Sequence, residues 1–278
     1  MPNLLLERTE ARPNQRQEDA AGVHAARQRR AALRITRGLS GVALLATIWE
    51  VAPRLRLVDP YFVPPLSTVL RAWGELAATG QLWTHVEASL VRSGVGFVLA
   101  LTLAIPLGAV IAWYSPVREV LTPVLEIFRN TAALAILPVF VLLLGIGETS
   151  KIAIVVFACF FPVLLSTISG VASVDVQLLR SARVLGLSPV TTFRKVVFPA
   201  AVPTIFTGIR IAGAAAILVL IAAEMIGATA GLGYLINYSQ YNFLIPQMYA
   251  GILTTALIGL AVNYALVAIE RRLSSWRA

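Results

Sequence analysis

Between Ser93 and Tyr114 the chain runs without a charged residue, and it does so again from Ile152 to Val174. About 20 mostly apolar residues are what an α-helix needs to cross the hydrocarbon core of a bilayer. Four further stretches read the same way, though less cleanly. The first, near 36–55, is interrupted by Glu50; the third occupies Asn130–Gly147 and begins somewhat earlier, near Pro123. The fifth runs from Ala201 to Ala228, broken by Arg210 and Glu224, and the sixth is Gln247–Ile269. The expectation is an all-α polytopic membrane bundle of six spans. Composition points the same way: 13% of the residues are charged and 58% hydrophobic, where a soluble domain carries roughly a quarter charged residues.

The net charge of +9 is no sign of nucleic-acid binding. The basic residues lie in a tail and in short segments between apolar runs, and they form no stripe interleaved with aromatics. Residues 1–34, with seven arginines, have little apolar periodicity and read as a disordered cytoplasmic tail; residues 35–278 are the membrane domain. The tail is too long for a secretory signal, and no small-residue cleavage site follows the first apolar run. If the tail is cytoplasmic, the inside segments hold sixteen Lys and Arg residues and the outside segments four. That bias places both termini in the cytoplasm. Segment 57–86 is then a periplasmic loop with a helical patch after Pro64-Pro65. His24 and His85 have no nearby Cys or His partner and read as surface residues rather than metal ligands. Cys159 stands alone, so no intrachain disulfide forms.

The segment between the fourth and fifth spans, 173–200, is far longer than a minimal connector, and it is organised. Ser173 or Asp175 can cap a helix, and Val176, Leu179, Ala182 and Leu185 recur on one face of it. Gly186 stands where a left-handed residue ends a helix. Ser188-Pro189 reads as an N-cap with proline at the first helical position. The second helix carries Phe193, Val196 and Val197 and ends before Pro199. Physics alone leaves two fates for the apolar face of such a pair: packing back on the spans, or entering a groove on another protein.

Arg180-Ser181-Ala182, Gly186, Val196 and Phe198-Pro199 together resemble the EAA loop of bacterial ABC importer permeases. That pattern is EAA, three residues, G, nine residues, I-x-L-P. The flanking runs FPAAVPTIFTGIRIA, AEMIGATAGLGYLI and LPVFVLLLGIGETSK resemble the nitrate/sulfonate/taurine branch, and the likeness covers roughly residues 60–270. Arg180 replaces the usual acidic residue, which puts in doubt or reverses a salt bridge from that position; Phe198 replaces leucine. The resemblance implies a pore-forming subunit in the inner membrane, importing a small solute, an anion such as a sulfonate or nitrate. It further implies a loop docked on a separate ATP-binding subunit, a periplasmic solute-binding protein and a second copy of the permease. The small Ser181, Ala182 and Gly186 would admit the ATPase closely. The chain carries no phosphate-binding G-x-x-x-x-G-K-[ST] of its own, so no catalytic residue, metal or cofactor is expected on it, and ATP belongs to the partner.

Glu224, near the outer end of the fifth span, is the main polar anomaly; an ionisable group at such depth is a functional candidate by default. The simpler expectation is a carboxyl hydrogen-bonded to backbone at the helix end, holding the next loop. Gly227, Gly231 and Gly233, followed by Tyr234-Leu235-Ile236, suggest a turn and a short re-entrant helix. Glu224, Gly231 and Gly233 are therefore the pore or gate candidates. Arg129 and Arg210 invite an anion-binding ring, but interfacial anchoring is the expectation for both. Gly208, Ala212, Ala215 and Ala216 allow close helix packing. A secondary transporter would place several ionisable groups near mid-membrane, and a membrane-embedded enzyme would need convergent catalytic groups. The spans offer little of either.

Overall fold

The computed structural model describes residues 40–273, and every regular element among them is helical. The expected tail, 1–34, lies outside the described residues, as does the start of the first expected span. Two compact units divide at Ser67 and Thr68. In the first, helix α1 covers 40–54 and the chain turns back after it. Trp49 Nε1 donates to the Pro64 carbonyl at 3.1 Å, and Glu50 accepts from the Ser67 backbone N–H and hydroxyl, both at 2.9 Å. Glu50 also pairs with Arg54. The carboxylate that interrupts the apolar run is thus used to hold the return of the chain.

The second unit contains α2 (Leu66–Ala78, from its third residue), α3 (Gln81–Trp113), α4 (Ser115–Asn130), α5 (Ala133–Leu144) and α6 (Glu148–Ala172). After these come α7 (Val176–Val184), α8 (Pro189–Thr192), a π-helical turn (Phe193–Val197), α9 (Phe198–Glu224), α10 (Leu232–Tyr241) and α11 (Ile245–Leu273). The helical patch expected after Pro64-Pro65 is α2. At 1.5 Å per residue, α3 is about 50 Å long and overshoots the hydrocarbon core. The core lies on the seams of α6 with α3 and with α9, where Ala100, Ala104, Val155, Cys159, Val163, Ala201, Ala212 and Ala216 are buried. The expected small-residue face of the fifth span therefore serves internal packing.

Among the described residues, four helices are long and apolar enough to cross a membrane: Gln81–Trp113, Glu148–Ala172, Pro189–Glu224 and Ile245–Arg272. A fifth crossing exists only if α4 and α5 count as one, and they meet at 90°. The third expected span, Asn130–Gly147, is therefore no straight helix. Thr131 and Ala132 both take extended backbone angles, and α5 alone, with 12 residues, is too short to span. Arg210 does not break the fifth span. Its guanidinium is half-exposed and pairs with Glu270 of α11 at 3.2 Å.

The loop after α6 matches its expected design in its first half. Asp175, rather than Ser173, caps α7 by accepting from the Gln177 N–H at 2.8 Å. Gly186 has φ 68. The Gly186 N–H reaches the Arg183 carbonyl and the Leu187 N–H the Ala182 carbonyl, the pair of bonds that satisfies the last carbonyls of a helix closed by a left-handed residue. Ser188 then caps α8, with Pro189 at its first position. The second half departs from expectation, because the helix does not stop before Pro199. Pro199 has no N–H and its ring crowds the carbonyl four residues back. The chain widens by one π turn, in which the Phe198 N–H bonds to the Phe193 carbonyl, and the helix continues to Glu224.

The α3–α6 seam generates a prediction. A Cβ at Gly108 would lie 2.8 Å from Thr167 Cβ and 2.9 Å from the Leu164 carbonyl, whereas a Cβ at Gly94 of the same helix meets nothing within 4 Å. Gly108→Leu should destabilise the detergent-solubilised protein by about 1–3 kcal/mol, seen as a lower thermal midpoint. Gly94→Leu should leave the midpoint unchanged. Equal losses would contradict this packing.

Candidate functional site

Two places in the second unit carry chemistry, one at each end of the long helices. The first is built around Glu224. Its side chain is fully buried, and its carboxylate accepts from the Ser89 hydroxyl at 2.8 Å, from Arg92 Nη1 at 2.7 Å and from the Gly233 N–H at 3.0 Å. Arg92 in turn donates Nη1 to the Ala230 carbonyl at 2.6 Å and Nη2 to Glu148 Oε1 at 2.6 Å, while its Nε bonds to Glu148 Oε2. One planar guanidinium therefore joins α3, the start of α6, the end of α9 and the loop before α10. Ser89 completes the join by accepting from the Leu232 N–H at 2.8 Å, and His85 Nδ1 accepts from the Gly231 N–H at 3.2 Å. Lys151 pins the same loop to α6, since its ammonium reaches the carbonyls of Gly147 at 3.0 Å and Gly227 at 3.3 Å.

The three gate candidates of the sequence come together here. Gly231, at φ 124, lies against the Glu224 carboxylate, and a Cβ there would sit 2.5 Å from Oε2. At Gly233 a Cβ would come within 2.7 Å of Glu224 Cβ. Only glycine allows the loop to fold so closely over the carboxylate. The expected backbone partner of Glu224 exists in the Gly233 N–H, but α3 supplies two side-chain partners as well. Arg92 and Lys151, which no sequence pattern singles out, are both buried here.

The second place is the loop between α6 and α9. Arg180 and Ser181 are exposed on α7, while Ala182 is only 2% exposed and packs against its own chain. Leu179 also turns inward, against the main core, so the face expected from Val176, Leu179, Ala182 and Leu185 is split. Phe193 rests edge-on against Trp113 at 5.3 Å. Val196 and Pro199 are half-buried, in the π turn and the first turn of α9, and Phe198 is partly exposed. The tip presents three apolar residues, Val184 at 88%, Leu185 at 74% and Val190 at 68% exposure. Sequence periodicity did not single out Val184 or Val190.

A bundle of long apolar helices with a capped, apolar-tipped loop between two of them defines a polytopic membrane protein. The chain belongs to the family described as binding-protein-dependent transport system inner membrane component, whose pattern matches residues 104–275. It is a permease subunit of the ABC importer class, located in the inner membrane, and an ion-coupled secondary transporter is not favoured. It is 36% identical over 249 residues to the taurine transport system permease protein TauC of Escherichia coli (strain K12), covering 87% of this chain and 90% of that protein. It is 34% identical over 241 residues to the putative aliphatic sulfonates transport permease protein SsuC of Bacillus subtilis (strain 168), covering 87% of each. Among solved structures, an inward-facing MetNI methionine ABC transporter superposes with a TM-score of 0.60 at 17% identity, over 71% of this chain and 98% of that one. That likeness concerns the fold alone.

The Arg92–Glu224 contact can be measured. Arg92→Met leaves a buried carboxylate without its cation, and breaking a buried pair in this way costs about 3–5 kcal/mol. The thermal midpoint of the purified protein should fall sharply. The double variant Arg92→Met/Glu224→Leu, which removes both charges, should recover most of the loss. If the double variant is no more stable than Arg92→Met, the pair is not what holds these helices.

Proposed function

We propose that this chain forms the pore of an importer for a small sulfonate, driven by a separate ATP-binding subunit that docks on the loop 173–200. The observation that carries the reading is the loop itself: its two helices are capped, its turn is closed by Gly186, and Val184, Leu185 and Val190 stand exposed at its tip. A loop that served only to connect two spans would have no use for either the caps or the apolar tip. Arg180, Ser181 and Gly186 lie on its outer side and would meet the partner. Ala182, Val196 and Pro199 would hold the loop on the spans, with Phe198 at the junction. Two relatives named for taurine and for aliphatic sulfonates support a sulfonate as cargo.

In this reading a periplasmic protein delivers the solute, a second copy of the permease completes the pore, and ATP is bound and hydrolysed by the partner. Six spans would put both termini in the cytoplasm, as the sixteen-to-four basic bias favours. Glu224, Gly231 and Gly233, tied to Arg92, would hold the outer mouth shut.

The test is co-purification. Leu185→Asp and Val190→Asp change exposed residues, so membrane insertion should be unaffected, while recovery of the ATP-binding subunit should fall at least tenfold and sulfonate uptake with it. A reporter fused near Pro189 should read as cytoplasmic. Normal partner recovery in both variants, or a periplasmic reporter signal, would remove the loop from the mechanism.

A further inference from the structure

On the seam between α6 and α9, the stretch Pro162–Ser169 faces Pro203–Ile211 across a groove of about 550 Å³. It is lined by Ser166, Ser169, Thr204 and Thr207, with Glu126 and Arg129 contributed by α4. Ser169 is within a turn of the end of α6, and Thr204 lies in the second turn of α9. The groove is therefore on the loop side of the bundle, opposite the Glu224 cluster.

Several hydroxyls elsewhere in the long helices are bonded within their own helix. Thr102, Thr167, Thr254 and Thr255 each donate to a carbonyl three or four residues back, at 2.8–3.0 Å. In the groove only Thr207 does so, to the Pro203 carbonyl at 3.2 Å. Ser166, Ser169 and Thr204 make no side-chain hydrogen bond among the described residues. Hydroxyls left unbonded in hydrocarbon are costly, so three together identify a surface meant to be wet. The charged pair sharpens the picture. Arg129 is half-exposed and bonds Glu126 through Nη2 at 2.7 Å, which leaves most of its five N–H donors free. A cationic fork, a carboxylate and three unused hydroxyls thus line one small space.

We propose that this groove is a transient binding site for the solute on its way out of the pore, and that it suits a small zwitterion carrying both a sulfonate and an ammonium. The sulfonate takes Arg129 and the hydroxyls; the ammonium takes Glu126. This rests on the reading that the cargo is a sulfonate, and it adds the residues that meet the cargo and the reason an amino group matters. A second copy of the chain filling the groove is the competing occupant, and it would leave no room for solute.

The whole transporter, with its ATP-binding and solute-binding partners, is reconstituted in liposomes. Uptake of 2-aminoethanesulfonate is compared with that of ethanesulfonate, which lacks the ammonium. Arg129→Gln should lower the uptake of both at least fivefold. Glu126→Gln should lower the amino-sulfonate at least threefold more than the plain sulfonate. Ser166→Cys should react with a sulfonate-bearing methanethiosulfonate, and 2-aminoethanesulfonate should slow that reaction; the native Cys159 is buried and adds no background. The same uptake ratio in wild type and Glu126→Gln would overturn the proposal. So would an unreactive Ser166→Cys in the assembled transporter, which would mean that protein fills the groove. A wild-type complex that imports neither sulfonate would fail differently: it would sink the sulfonate reading first and this site with it.

Discussion

In a bilayer an unpaired polar group has no water to fall back on, and the guanidinium of Arg92 is where this bundle meets that constraint most directly. It reaches Glu148 at the start of one long helix, Glu224 at the end of another and the Ala230 carbonyl in the loop before α10. Glu224, fully buried, would not be tolerable at its position without it, whereas Glu148 is largely exposed. The surrounding features follow from the same need. Ser89 is placed to share its hydroxyl between the carboxylate and the Leu232 N–H. Gly231 and Gly233 are small because the loop must close over the group it covers, and Lys151 ties down the carbonyls that this folding leaves exposed.

Features set by neighbours in sequence were legible before the structure. The caps at Asp175 and Ser188, the left-handed Gly186 and the helix α2 each depend on side chains within a few residues of the backbone they satisfy. The long helices were legible for the same reason, since an apolar run declares itself. What escaped was set by distant partners or by a balance of small costs. Arg92 and Glu224 are 132 residues apart, and nothing in either segment names the other. A single arginine within a long apolar helix and a single glutamate in another were the available signals, read only in part. The 90° break at Thr131 and Ala132 has neither glycine nor proline at the bend. Proline usually stops a helix, yet at Pro199 one widened turn absorbs it.

The two ends of the second unit differ in what their polar groups do. Around Glu224 nearly every donor meets an acceptor inside the protein, which favours a closed and ordered arrangement. On the loop side, hydroxyls and a guanidinium retain unused capacity. The spare capacity lies towards the end of the molecule that carries Val184, Leu185 and Val190, so the part of the bundle with polar capacity to spare and the part that offers an apolar surface are neighbours.

The π turn at Phe193–Val197 has a geometric consequence for that surface. A π turn holds one residue more than an α turn, and each residue advances a helix by about 100°. Were the extra residue squeezed out, everything before Phe193 would swing about the axis of α9 by roughly that angle. The compass bearing of Val190, and of the tip that travels with it, is thus fixed by a single surplus residue. The helix carries that setting without interruption to Glu224 at its far end, so the loop and the buried carboxylate sit on one shaft, indexed to each other like the cam and key of a lock.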